Sequence, residues 1–193
     1  MRKIEEQTSM TLSFKERTTE ADWVEFTNTN GGCYSYVGRV GIGSQELSLD
    51  RPRNGVTCID QGIIIHELLH AAGFVHEHSR PDRDKFIKMN YENIEPGKEY
   101  AFIKYDSSLV YLVNIPYDYY SIMHYRNDAF SINGNPTIVP LNSTIDTNLM
   151  GKRNDLSPSD VKMIKMFYNN TSRNRFHMNI LIISILFYSS YLF

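Results

Sequence analysis

The sequence predicts an α+β domain: a small sheet and one apolar helix, then an irregular half closed by a C-terminal helix. Three observations predict it. Short aromatic or β-branched runs occupy the first fifty residues, the apolar period becomes helical at Gln61–Ala72, and Pro81, Pro96, Pro116, Pro136 and Pro140 punctuate the chain beyond that helix.

Residues 1–8 read as the end of a polar helix. Thr11–Lys15 alternates through Leu12 and Phe14; Trp23–Phe26, Tyr34–Val37 and Gln45–Leu49 are further strand-like pieces. Asn30-Gly31-Gly32 reads as a turn between two of them, so a small antiparallel sheet is expected. In Gln61–Ala72 the residues Ile64, Ile65, Leu68, Leu69 and Ala72 recur at helical spacing, and Gly73 is placed to end the helix. Ser157-Pro158 opens a last helix, Ser159–Tyr168, with Val161, Ile164, Met166 and Phe167 available for packing.

The 193 residues suffice for one domain, and 41% hydrophobic with 22% charged residues is a globular composition. A formal charge of -2 without a basic block excludes a nucleic-acid partner. Cys33 and Cys58 are two free thiols or one disulfide on cysteine usage alone. Sequons at Asn142, Asn169 and Asn170 lean toward a secretory route. The charged start Met1–Glu6 holds no signal peptide. Residues 176–193 lack Asp, Glu, Lys and Arg, and read as a separate tail from 170 onward, either a membrane anchor or a non-native extension.

His66-Glu67-Leu68-Leu69-His70 places two imidazoles one helical turn apart, on one face, where both reach a single ion. Glu67 sits beside them, able to address a water on that ion without being a ligand. Gly73 permits a left-handed turn, and His76 can then swing back as a third ligand. Three histidines leave room for water, the arrangement of a catalytic rather than structural zinc site. One Zn2+ per chain is expected, bringing its water toward a pKa of about 7 while Glu67 takes the proton.

His66–Asp84, with Glu77 directly after the third histidine, resembles the extended signature of the astacin zinc proteases, a branch of the metzincins. Ser121-Ile122-Met123-His124-Tyr125 resembles that family's Met-turn, and the similarity continues through Gly151-Lys152-Arg153 to Phe167-Tyr168, covering 1–169 as the domain. The resemblance implies a metzincin-like fold, a sheet-bearing upper part above an irregular lower part, and an endopeptidase of the secretory route acting on proteins or peptides as a monomer. It implies that Tyr125 binds zinc at rest and swings away to the developing oxyanion, and that Met123 lies beneath the metal as a core residue. His78, His124 and His177 are given no metal role. Substrate is expected to add as a strand along Cys33, Tyr34, Ser35, Tyr36 and Val37. Arg153 matches an arginine that, in some relatives, lines the pocket for the side chain just after the cut, which favours Asp or Glu there.

The resemblance also implies a Cys33–Cys58 bridge. The family's second bridge has no counterpart: Ser9 stands at its first cysteine, and no cysteine follows Tyr168. Family domains open with a strand and a long helix that this chain lacks, so Glu77 is expected to be a buried carboxylate wanting a counter-ion, or its region to be loose. A second reading, an inactive zinc-binding fragment that only holds peptides or inhibitors, predicts the same metal without cleavage.

Overall fold

The structure is a computed structural model. It describes residues 1–28, 32–50, 57–108 and 115–170, and the backbone of 178–181.

The upper part is built on a sheet of five strands: β1 (Phe14–Glu16), β2 (Trp23–Thr27), β3 (Cys33–Ser35), β4 (Ser44–Leu49) and β7 (Met178–Leu181), in the order β1-β7-β2-β4-β3. β2 pairs with β4 in parallel, Trp23 opposite Ser44 and Thr27 opposite Ser48. Only β3 runs antiparallel, Cys33 opposite Leu49 at the sheet's edge. The expected antiparallel sheet is therefore corrected to a mainly parallel one. Alternation of side chains marks a strand but carries no direction, and β3 pairs with β4 rather than returning along β2. Asn30 and Gly31 of the expected turn lie outside the described residues.

β7 lies between β1 and β2, parallel to both, with Val24 opposite Ile180 and Phe14 opposite Met178. Residues 178–181, within the stretch expected to be a tail, thus pair in this sheet. Residues 171–177 and 182–193 lie outside the described residues, and no described helix is long and apolar enough to cross a membrane.

Helix α1 (Arg2–Gln7) is polar except for Ile4, which is fully buried. It joins Leu12, Val24 and Leu47 in one core with Ile65, Leu68 and Leu69 of α2 (Gln61–Ala71) and Ile164 of α3 (Pro158–Asn170). Removing such side chains from water contributes about 2 kcal/mol each. The core therefore fixes how α2 sits against the sheet.

The lower part has few regular elements. Its short strands β5 (Ile87–Met89) and β6 (Ile138–Pro140) form an antiparallel pair. A second core of Ile87, Ile94, Phe102, Tyr117, Ile138 and Met150 lies there. The cleft opens between the two parts.

Candidate active site

α2 starts at Asp60, whose carboxylate accepts from the Gly62 N–H at 2.9 Å and the Ile63 N–H at 3.3 Å. A Cβ at position 62 would lie 2.4 Å from the Arg153 carbonyl oxygen, so glycine lets the segment carrying Arg153 press against the helix. With Ile65, Leu68 and Leu69 committed to the core, His66 and Glu67 line a cleft of about 600 Å3. Gly73, at φ +96°, ends the helix, donating its N–H to the His70 carbonyl at 2.8 Å. The chain then reverses, bringing His76 Nε2 within 3.2 Å of His66 Nε2 and 3.1 Å of His70 Nε2.

Protonation can be read from the partners. His66 Nδ1 lies 2.8 Å from the Ile122 carbonyl and His70 Nδ1 lies 2.8 Å from the Phe74 carbonyl. A carbonyl can only accept, so both Nδ1 atoms carry hydrogen. Burial pushes all three imidazoles below the usual histidine range, His70 to about 3 and His76 well below it, which favours their neutral forms. The Nε2 atoms of His66 and His70 are then both lone pairs facing His76 Nε2, and one proton there cannot serve both well. A cation resolves the conflict. Nitrogens bound tetrahedrally to zinc at 2.0–2.1 Å lie roughly 3.3 Å apart, so the three residues fit that ion. Among the described residues they are the one cluster of metal-ligating side chains so placed.

Glu67 is buried beside them, and its Oε2 has no hydrogen-bond partner among the described residues. Burial pushes its carboxyl up to about 7. An orphaned carboxylate oxygen next to a metal site suits a water that it can deprotonate.

The turn holding Met123 supports the site through its backbone. Ile122 orients His66, while the Met123 carbonyl accepts the Glu77 N–H at 2.9 Å. Met123 itself is a buried core residue. Sequence reasoning missed what holds this turn. Asp160, buried at the start of α3, accepts from Ser121 Oγ at 2.6 Å and from the Ile122 N–H at 3.1 Å. It also accepts the Ser157 N–H at 2.8 Å and returns its own N–H to Ser157 Oγ at 2.9 Å. Ser157-x-x-Asp160 is a capping box, the one local signal that could have singled out Asp160.

Glu77 is buried, as expected, but it does not lack a counter-ion. Arg80 Nη1 donates to its Oε1 at 2.9 Å, and the Asp118 N–H donates to the same oxygen at 2.9 Å. Burial raises the Glu77 carboxyl to about 7 against the pull of these two donors. Arg80 is held in turn by Asp82, through Nε at 2.9 Å and Nη2 at 3.0 Å, so the region is cross-braced rather than loose.

Tyr125 lines the cleft, its ring centroid 4.5 Å from that of His76. Burial, with the Glu67 charge nearby, pushes its phenol up to about 12, so it keeps its proton. His78 stacks against Tyr125 at 4.1 Å and donates from Nε2 to the Ala101 carbonyl at 3.0 Å. His124 donates from Nδ1 to the Tyr125 carbonyl at 2.6 Å and accepts the Tyr117 hydroxyl at 2.7 Å. Neither belongs to the metal cluster. His177 lies outside the described residues.

Cys33, Tyr34 and Ser35 form β3, the sheet's edge, while Tyr36 and Val37 lie just beyond the strand and are exposed. Cys33 is bonded to Cys58, tying this edge to the segment ahead of α2. Cys33 and Arg153 both line the cleft with His66 and Glu67.

Fold and site together define a metalloproteinase-type domain: three neutral imidazoles and an adjacent carboxylate in a cleft beside an exposed strand edge. The chain belongs to the astacin family of peptidases, since the model of that family, Astacin, matches residues 1–169. It is 47% identical over 138 residues to Zinc metalloproteinase nas-13 of Caenorhabditis elegans, covering 72% of this chain and 29% of that protein. It is 44% identical over 160 residues to High choriolytic enzyme 1 of Oryzias latipes, covering 82% of this chain and 55% of that protein. The chain thus spans about half or less of these curated relatives. The solved structure of High choriolytic enzyme 1, a hatching enzyme zinc-protease from the medaka fish, superposes with a TM-score of 0.74 at 42% identity, covering 87% of this chain and 82% of that one. Myroilysin, at 22% identity and TM-score 0.53, shares the fold alone.

Proposed function

We propose that this chain is a zinc-dependent endopeptidase with a preference for acidic residues after the cut, working as a secreted monomer with one zinc. The observation that carries the reading is the convergence of three neutral Nε2 atoms beside the unpartnered Glu67 Oε2 in an open cleft.

His66, His70 and His76 would hold the zinc, which would supply Lewis acidity toward a water and the scissile carbonyl. An extended peptide adds to the free edge of β3, where backbone pairing gives affinity with little reading of sequence. Glu67 removes the proton from the attacking water and delivers it to the leaving nitrogen. The Tyr125 phenol, protonated at neutral pH, lines the cleft beside His76 and would donate to the carbonyl oxygen as charge develops on it. Buried apolar packing and the carbonyls of Ile122 and Phe74 keep the imidazoles aimed throughout. Arg153 offers its guanidinium to a carboxylate at the subsite after the cut. The disulfide supports a secretory route, since such bonds persist in oxidising compartments.

Cut-site profiling on a mixed peptide library tests this. Wild type is expected to cleave internal bonds with Asp or Glu enriched after the cut, and Arg153→Gln to lose the enrichment while still cleaving. No cleavage by the zinc-loaded wild type overturns the endopeptidase reading; cleavage without acidic enrichment removes only the role of Arg153.

A further inference from the structure

The Asn-x-Ser/Thr triplets of the chain are placed differently by the fold. Asn169 lies in the last turn of α3 and Asn170 ends that helix, while Thr171 and Ser172, which complete their triplets, lie outside the described residues. Asn142-Ser143-Thr144 follows β6 in the lower part, and residues 141–144 are exposed in succession. None of them lines the cleft of His66 and Glu67.

Both ends of this loop are fastened to the domain. The Leu141 N–H donates to the Phe86 carbonyl at 2.8 Å, and the Asp146 N–H donates to the Tyr120 hydroxyl at 3.0 Å. Ile145 packs against the second core. Between these points the acceptors of Asn142 are engaged within the loop. Its carbonyl accepts the Ile145 N–H at 3.2 Å, and its Oδ1 accepts the Thr144 N–H at 3.0 Å and the Thr144 hydroxyl at 2.9 Å. Its Nδ2 makes no hydrogen bond among the described residues, so the amide nitrogen of an exposed side chain is left open.

We propose that Asn142 is an N-glycosylation site whose Nδ2 carries an oligosaccharide on the lower part, outside the peptide cleft. A glycan is bulky and hydrophilic, so one added to the unfolded chain is accommodated only where its asparagine ends at the surface. Asn142 meets that condition and has the hydroxyl residue two positions on that acceptor triplets share. In the transfer, Nδ2 bonds to the anomeric carbon of a lipid pyrophosphate-linked oligosaccharide, and the bond from that carbon to the pyrophosphate oxygen breaks. The lipid pyrophosphate leaves with the electron pair, and one Nδ2 proton passes to a base of the transferase. The inference rests on the secretory route in the proposed function.

The test translates the full chain, fused behind a cleavable signal peptide, in the presence of glycosylating microsomes. The fused signal drives entry whatever the native route, so a missing glycan counts against Asn142 and leaves the secretory and peptidase readings standing. Protease-protected protein is treated with peptide N-glycosidase in heavy-oxygen water, and mass spectrometry reads the labelled aspartate that marks each former glycan. Wild type is expected to carry the label at position 142 on most chains. Asn142→Gln and Thr144→Ala are expected to lose it, and Thr144→Ser to keep it. The fold adds a second readout: an endoglycosidase is expected to trim the glycan from native protein as fully as from denatured protein. No label at position 142 in translocated wild type overturns the proposal, and so does a glycan there that is released only after denaturation.

Discussion

The Nδ1 of His66 donates to the carbonyl of Ile122, 2.8 Å away and 56 residues further along the chain. Through this bond the turn that carries Met123 sets the tautomer and the aim of the first histidine. The turn is itself fixed by Asp160, so the three-histidine cluster is braced from α3.

Asp160→Asn tests that brace. An asparagine keeps one oxygen for the Ile122 and Ser157 N–H groups and turns Ser121 Oγ from donor to acceptor, so what it removes is the charge that strengthens all three bonds. Zinc affinity is expected to fall about 10- to 100-fold, read by competition with a chromophoric chelator. Stability is expected to fall by roughly 2–3 kcal/mol in urea unfolding. Unchanged zinc affinity in the folded variant would show that the turn holds itself.

The contrast between His66 and Asp160 marks what was legible beforehand. The i, i+4 histidines, Glu67 and the Gly73 stop are local features of one helix, and all are where the sequence placed them. Asp160 and Gly62 act on residues far away in the chain, so their roles have no local pattern beyond the Ser157-x-x-Asp160 box. Strand direction failed for a related reason: pairing of β2 with β4 past β3 is a tertiary choice. The three-residue β5 and β6, some fifty residues apart, were too short to stand out. The Glu77–Arg80 pair, by contrast, is local, at i and i+3, a spacing that the sequence itself displays.

Arg80→Met leaves Glu77 buried without its counter-ion. Breaking a buried pair from one side costs about 3–5 kcal/mol, and urea unfolding should show a loss of that size. Adding Glu77→Gln is expected to recover part of it. A loss under about 1 kcal/mol for the single change would mean that the pair contributes no more than a surface ion pair does.

Cys33 and Cys58 are 25 residues apart in sequence. Closing a loop of that length limits the unfolded chain, so replacing both by serine should cost about 3 kcal/mol. Because the bond anchors the β3 edge, peptide affinity should fall along with stability. Equal stability of the oxidised protein and the double variant would argue against the entropic account.

Acid tests the loop before β2. The Lys15 ammonium, then the Thr18 N–H, holds the Glu20 carboxyl down to about 2, against 4.5 for an ordinary glutamate. A lowered pKa means that the folded state binds fewer protons than the unfolded one in that window. The contribution is therefore full above about 4.5 and is lost as pH falls through about 2. Carbon-13 titration of Glu20 should show the low midpoint, and Glu20→Gln should flatten the acid dependence of unfolding between those values. A midpoint near 4.5 would contradict the pairing.

The most direct measurement is peptide hydrolysis by wild type and Glu67→Gln, each first shown to hold one equivalent of zinc. Equal metal content with a loss in kcat of about 100- to 10,000-fold in the variant is the predicted result. Cleavage by Glu67→Gln at the wild-type rate would contradict the assignment of Glu67, and with it the reading of the three-histidine cleft as a proteolytic centre.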